Sequence, residues 1–115
     1  MPPTFLESGL QVIDLAVIDD AIRRIVSAFH PKRIVLFGSQ ARGDARPDSD
    51  LDLFIEMESD QRPGDRRLAV RRLFQDCRWP LDVVVYTPKE VARARERFGN
   101  LMSYVDAEGK LLYES

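Results

Sequence analysis

The sequence is poor in the side chains that most often build metal sites and nucleophiles. It contains one cysteine, Cys77, and one histidine, His30, in 115 residues. A single cysteine excludes an internal disulfide and a cysteine-cluster zinc site, and a lone histidine has no histidine partner for a metal ion or a catalytic triad. Any chemistry must therefore rest on carboxylates, hydroxyls and arginines.

Long apolar runs and an excess of one charge are also missing. No segment approaches the roughly 18 apolar residues of a membrane span, and no basic stretch precedes an apolar one at the N-terminus. Lysine and arginine together number 17 against 19 acidic residues, which leaves a formal net charge of -2. The composition indicates no membrane or nucleic-acid partner, and we expect a soluble, cytoplasmic protein.

What remains is a chain suited to one core. With 115 residues, of which 44% are hydrophobic, it can fill a single domain. Residues 1–16 hold two prolines and show little periodicity, so they are expected to form an arm of uncertain structure, followed by a folded domain over 17–115. Apolar periodicity predicts helices at 19–29, 39–45, 65–76, 89–98 and around 101–105, and strands at 50–56, 33–37, 81–86 and 110–113. This alternation indicates an α/β fold with a small mixed β-sheet flanked by helices.

Details of two helices follow from the same patterns. Asp19 is the predicted N-cap of the first helix, and Pro31 is its predicted end. In the helix at 65–76, Leu68, Leu73 and Phe74 are expected to face the core.

The segment LFGSQARGDARPDSDLDLF, residues 36–54, holds the densest group of candidate site residues. On a strand, Leu51 and Leu53 point to one face and Asp50 and Asp52 to the other. Two carboxylates on one face can converge on a hard cation such as Mg²⁺, which takes further ligands from substrate phosphates. An isolated Asp-x-Asp is more often the solvated start of a strand, but the Gly-Ser turn upstream favours a site.

Gly38 and Ser39 form that turn after an apolar strand. A glycine lets a phosphate approach the backbone, and a following helix directs its first amides at an anion. Arg42 lies one turn further on, where its guanidinium would either bind the same phosphates or brace the turn against a carboxylate. The turn is neither a Walker A loop, which needs a lysine, nor a dinucleotide fingerprint.

A third carboxylate, Asp82, is the second residue of the otherwise apolar run LDVVVY, residues 81–86. Leu81, Val83 and Val85 occupy the opposite face. If this strand lies beside that of Asp50 and Asp52 in antiparallel or offset register, Asp82 would face the same cations.

Six arginines make up a denser group than a typical helix face carries. They are either a solvated face that offsets nearby acidic residues or a docking surface for an acidic partner or RNA. The group comprises Arg62, Arg66, Arg67, Arg71, Arg72 and Arg78.

The pattern GSxxRGxxxxxSDxDL over residues 38–53, which includes Ser49, resembles the signature of the DNA polymerase β-type nucleotidyltransferases. Within that superfamily it is similar to the minimal MNT branch, the antitoxin half of MNT/HEPN toxin-antitoxin pairs. The resemblance implies a polymerase β-like nucleotidyltransferase fold, with 17–115 as the nucleotidyltransferase domain. Glu108 to Glu114 and the strand of Asp82 extend it over most of the chain.

The resemblance also implies roles for individual residues. Gly38, Ser39 and Arg42 would bind the nucleotide, with Ser39 on the triphosphate. Asp50 and Asp52 would bind two Mg²⁺ ions, and Asp82 would help bind the catalytic metal and activate the acceptor hydroxyl.

The implied activity is Mg²⁺-dependent transfer of AMP from ATP to a hydroxyl, with a tyrosine of a partner HEPN toxin as the expected acceptor. We expect a hetero-oligomer without a membrane and without direct contact to nucleic acid. Two alternatives remain: an antitoxin that masks its partner without catalysis, and a transferase that acts on a small molecule or RNA. Since such transferases usually carry an added acceptor domain, the length favours a partner chain as acceptor.

Overall fold

The computed structural model describes residues 15–43, 50–77 and 79–115, together with the backbone of two short strands near the N-terminus. The strands are β1 (Thr4–Phe5), β2 (Gln11–Val12), β3 (Arg33–Phe37), β4 (Leu51–Glu56), β5 (Leu81–Tyr86) and β6 (Lys110–Glu114). The helices are α1 (Leu15–Phe29), α2 (Ser39–Arg42), α3 (Pro63–Arg71), α4 (Pro88–Arg95) and α5 (Leu101–Glu108), and a 3-10 turn, Arg72–Phe74, follows α3.

The main sheet has four strands in the order β5-β4-β3-β6. Strand β3 pairs antiparallel with β4 and β6, while β4 and β5 are parallel. The predicted α/β fold with a small mixed sheet is therefore confirmed. The predicted strand at the C-terminus is also confirmed, and it lies at an edge of the sheet.

Helices cover both faces of this sheet, because the inner strands β3 and β4 carry buried apolar side chains on both sides. The larger core lies under α1 and α3, and a smaller one lies under α4 and α5. The larger core includes Val17, Ala21, Ile25, Ile34, Leu36, Leu51, Leu53, Ile55, Val70, Phe74, Val83 and Val85. The smaller core consists of Val35, Phe54, Val91, Met102 and Val105.

Helix α1 begins at Leu15, ahead of the predicted start. The prediction that Asp19 is its N-cap was wrong, since Asp19 lies inside the helix. Val17, Ala21 and Ile25 are buried at a spacing of four residues, so the apolar stripe extends upstream of Asp19. Of the predicted arm, residues 1–3, 6–10 and 13–14 lie outside the described residues, and β1 pairs antiparallel with β2.

Helix α3 differs from its prediction in the direction of its side chains. Leu68 is 49% exposed, so the prediction that it faces the core was wrong. Arg66 and Val70 occupy the inward positions instead. The 3-10 turn tightens the chain at Arg72, and Phe74 is buried as predicted, with its ring 5.7 Å from that of Trp79.

No helix among the described residues is both long and apolar enough to span a bilayer.

The junction between α5 and β6 leaves no room for a side chain at Gly109. A Cβ there would overlap the Val105 carbonyl oxygen and the Val35 side chain. At Gly64, in the first turn of α3, a Cβ would meet nothing within 4 Å.

We predict that Gly109→Ala lowers the free energy of unfolding by about 1–3 kcal/mol, because the helix end must move away from the sheet. Gly64→Ala should instead raise it by about 0.4–1 kcal/mol through the unfolded state. Urea denaturation of both variants measures the difference. Equal effects would show that the junction can relax without cost.

Candidate active site

Two of the predicted site carboxylates lie side by side in the sheet. Asp52 of β4 and Asp82 of β5 are paired residues of the parallel ladder, and both project from the face opposite the larger core. The expected antiparallel or offset register was wrong, since β4 and β5 are parallel and in register. Parallel pairing in register brings the two aspartates to the same level of adjacent strands, which is the placement that a shared cation would need. Asp50 precedes β4 and is exposed.

The glycine-serine turn lies directly against Asp52. Phe37, the last residue of β3, pairs with Asp52 in the antiparallel ladder, so Gly38 follows at the same end of the sheet. Gly38 has a φ of 76°, and a Cβ added to it would overlap the Asp52 carboxylate. A glycine is therefore required at position 38 for two reasons: the positive φ and the close approach of the Asp52 carboxylate.

Helix α2 starts immediately after Gly38 with Ser39. The amides of Ala41 and Arg42 donate to the Gly38 carbonyl oxygen at 3.1 Å each, which closes the turn. The first amides of a helix have no partner within it, so those of Ser39 and Gln40 stand at the helix start beside the carboxylate. Ser49, the remaining serine of the motif, lies outside the described residues.

The carboxylates concentrate negative charge at this end of the sheet. Burial, followed by the charges of Asp82 and Asp50, raises the pKa of Asp52 from 3.8 to about 6, while the charge of Arg42 acts in the opposite direction. Negative charges that disfavour the ionisation of Asp52 are the environment in which a cation would be stabilised.

Arg42 makes a contact of the bracing kind. Its Nη1 lies 3.4 Å from Oε2 of Glu108 at the end of α5, and both side chains are partly exposed. Of the two roles left open by the sequence, the brace is present in the structure without nucleotide. Phosphate binding by Arg42 stays a prediction.

Asp82 also has a cationic partner that the sequence did not reveal. Nη2 of Arg67 on α3 donates to Oδ1 of Asp82 at 2.8 Å. The contact joins residues 15 positions apart. No spacing rule links a helix to a strand in this way, so only the packing of α3 against β5 could disclose it.

The six arginines do not share one surface. Arg66 is buried and paired with Glu90, Arg67 contacts Asp82, and Arg71 and Arg72 are exposed. The interpretation of a solvated face that offsets acidic residues therefore fails for the buried Arg66 and agrees with the exposed Arg67. Arg78 lies outside the described residues.

A metal ion would have to recruit its ligands here. Within the described parts of the chain, no three histidine, cysteine, aspartate or glutamate side chains are close enough together to hold a metal ion. The donor types nevertheless fit Mg²⁺, which prefers carboxylate oxygens, and Asp52 and Asp82 occupy adjacent positions. To bind the cation, Asp82 would have to give up its contact with Arg67.

Comparison with known proteins identifies the fold and the family. Residues 18–113 match the family model described as nucleotidyltransferase domain. A search of curated proteins gives no match.

Three solved structures share the fold. A Sulfolobus solfataricus protein assigned as a nucleotidyltransferase is 22% identical with a TM-score of 0.62, over 87% of this chain and 79% of that one. A mutant of the toxin-antitoxin MntA-HpeT is 21% identical with a TM-score of 0.61, over 85% of this chain and 72% of that one. A toxin-antitoxin with AMP-PNP is 23% identical with a TM-score of 0.59, over 84% of this chain and 73% of that one. At these identities the likeness concerns the fold.

Two glycines with positive φ permit a controlled test of the turn. We predict that Gly38→Ala abolishes MgATP binding, because the new Cβ displaces the Asp52 carboxylate. Gly43→Ala, with a φ of 83° and open space around it, should cost only the roughly 1–2 kcal/mol of the left-handed conformation and keep its affinity. Calorimetric titration with MgATP, alongside thermal unfolding, measures both. Unchanged binding by folded Gly38→Ala protein would contradict the assignment of the turn.

The raised pKa of Asp52 predicts a pH-dependent stability. Because the folded-state pKa of about 6 exceeds the ordinary 3.8, the stabilisation by this group is present below pH 4 and is lost as the pH rises through 6. Asp52→Asn should therefore gain stability over the wild type as the pH rises from 4 to 7.5, in a chelating buffer. Asp106→Asn should show the opposite trend in a lower pH range: because Arg95 lowers the pKa of Asp106 below 3.8, this variant should lose stability relative to the wild type as the pH rises from below 3.8 to above it. A pH-independent difference for Asp52→Asn would contradict the burial of this charge.

Proposed function

Because the chain belongs to the nucleotidyltransferase domain family, we propose that it transfers AMP from ATP to a hydroxyl group of a partner protein. The expected acceptor is a tyrosine of a HEPN toxin, so that the chain acts as the antitoxin of the pair. The single observation that carries the proposal is the placement of the Gly38-Ser39 turn against Asp52, with Asp82 on the next strand.

The order of the strands supports separate places for the two substrates. The turn follows β3, Asp52 lies on the inner strand β4, and Asp82 lies on the edge strand β5. The triphosphate would lie on the side of Gly38 and Ser39, and the acceptor hydroxyl on the side of Asp82. The α-phosphorus would then stand between them, as an in-line displacement requires.

Each residue has a role that its position supports. Ser39 and the first amides of α2 would hold the triphosphate, and Asp50, Asp52 and Asp82 would hold two Mg²⁺ ions. Bound Mg²⁺ would supply a lowered pKa of the acceptor hydroxyl and neutralisation of the leaving pyrophosphate. Asp82 would orient the hydroxyl. The oxygen of the acceptor hydroxyl then forms a bond to the α-phosphorus, and the bond between the α-phosphorus and pyrophosphate breaks. The hydroxyl proton passes to solvent.

The structural neighbours support the antitoxin part of the proposal. One comes from a toxin-antitoxin MntA-HpeT, and another from a toxin-antitoxin with AMP-PNP, a non-hydrolysable analogue of ATP. Both share the fold of this chain over more than four fifths of its length.

A second candidate function is an antitoxin that masks its partner. The ion pair between Arg67 and Asp82 favours it, because a carboxylate neutralised by arginine is less available to a cation. The two functions differ in what persists after the partner has been removed.

We predict that a partner incubated with the chain and MgATP gains the mass of one or more adenylyl groups and stays inactive after denaturing separation and refolding. Mass spectrometry and an activity assay of the refolded partner measure both effects. Asp50→Asn with Asp52→Asn should abolish the gain, since the cation ligands lose their charge. Asp60→Asn with Asp65→Asn changes the net charge equally on exposed residues and should leave it intact.

If the partner is unmodified and regains its activity, the chain acts by masking and the proposal of AMP transfer is wrong. Transfer at the wild-type rate by the Asp50 and Asp52 variant would contradict the assignment of these carboxylates.

A further inference from the structure

A groove runs along the outer strand β5 and begins at the candidate active site. Its first part has a volume of about 400 Å³ and lies between Asp82 and the start of α3 at Pro63. Its second part, about 580 Å³, lies between α3 and α4. The two parts share Pro63, Val85 and Tyr86, so they are continuous. We call this surface the β5 groove.

The far end of the β5 groove contains a buried cation with unused hydrogen-bonding capacity. Arg66 is only 2% exposed, and its Nη2 donates to Oε2 of Glu90 at 2.8 Å. Its Nε is buried without a hydrogen-bond partner among the described residues. An unpaired buried donor of a charged group is costly, so an acceptor that reached this nitrogen would be bound favourably.

Two further arginines line the same end of the groove. Within the described part of the chain, neither Arg93 nor Arg97 has an acidic partner, and both are exposed. Glu90 is already engaged, since it binds Arg66 and accepts from the Thr87 amide at 2.8 Å. Glu96 is the remaining carboxylate of the lining. The far end therefore has more unpaired positive than negative charge and favours an anionic group.

An exposed aromatic residue follows one of these arginines in the chain. Phe98 follows Arg97 in the connection between α4 and α5, and it is fully exposed. An exposed phenylalanine next to arginines matches the enrichment of aromatic residues and arginine in protein–protein interfaces. It favours a polypeptide as the occupant.

The length of β5 sets the distance between the two ends. Asp82 and Tyr86 are four residues apart on one strand, which corresponds to roughly 13 Å at the rise of a β-strand. An extended polypeptide in the β5 groove would cover this distance with about four residues, and slightly more to reach Arg93 and Arg97.

We propose that the β5 groove binds an extended acidic segment of the acceptor polypeptide. A carboxylate of that segment is held by Arg66, Arg93 and Arg97, about four to six residues from the hydroxyl presented to Asp82. The identity of that hydroxyl as the acceptor rests on the proposed function, whereas binding in the groove does not.

RNA is the competing occupant, and the groove disfavours it. Asp82 at one end is paired with Arg67, and Glu96 lies at the other end, so the groove has no continuous positive track for a phosphate backbone. A polypeptide can place its carboxylates only where the arginines are.

Fluorescence anisotropy on the whole protein, without ATP or metal, tests the proposal. The first labelled peptide holds one tyrosine and three glutamates that begin about five residues away. A second has the same composition with the glutamates next to the tyrosine, and a third has lysines in place of glutamates. We expect the first to bind about tenfold more tightly than the other two. Equal binding of the first two peptides would overturn the predicted spacing.

Two double variants with equal charge changes separate the groove from general electrostatics. Arg93→Glu with Arg97→Glu should weaken binding of the first peptide about tenfold or more. Arg71→Glu with Arg72→Glu, on exposed residues outside the groove, should weaken it about twofold or less. Equal losses in both would overturn the proposal. If a uridine oligonucleotide binds more tightly than the first peptide, and this binding is lost in the Arg93 and Arg97 variant, the occupant of the groove is RNA and the proposal is wrong.

The outcomes separate this proposal from the proposed function. Spacing-dependent binding without AMP transfer to the bound tyrosine would leave the groove in place and count against the transferase. AMP transfer to a partner by the groove variant at the wild-type rate would leave the transferase in place and overturn the groove.

Discussion

The close approach between Gly38 and Asp52 is the contact on which the candidate site depends. It exists because β3 ends where β4 begins, with Phe37 paired to Asp52, so the chain must turn over the carboxylate. Only a residue without a Cβ and with a positive φ fits there. One side of the site, the start of α2, is fixed to Asp52 by this contact. The other side follows from the parallel pairing that sets Asp82 beside it.

The charges at this end of the sheet are balanced by arginines from distant parts of the chain. Arg42 contacts Glu108 and lowers the pKa of Asp52, while Arg67 contacts Asp82. Both ion pairs are partly exposed, so each contributes little stability and can be exchanged for another partner. The candidate site therefore gathers carboxylates without fully neutralising them.

The position of β5 at the edge of the sheet has a functional consequence of its own. An edge strand has one side without a neighbouring strand, and here α3 and α4 leave a groove along that side. Because Asp82 is part of the same strand, the groove leads to the candidate site. The buried Arg66, which pairs with Glu90 across α3 and α4, joins the packing of these helices to the basic end of the groove.

The sequence by itself determined the local structure and the residue types gathered at the candidate site. Strands β3 and β5 have the predicted bounds, and Leu51 and Val83 face the larger core as their alternation requires. This information is local, because side chains of a strand alternate and a glycine-serine turn is written in adjacent residues. Partners across the fold are not local. The parallel pairing of β4 with β5, the exposure of Leu68 and the contact of Arg67 with Asp82 depend on how helix α3 packs against the sheet. Only the tertiary structure decided them, because long side chains on a helix can reach several strands, and packing selects which one.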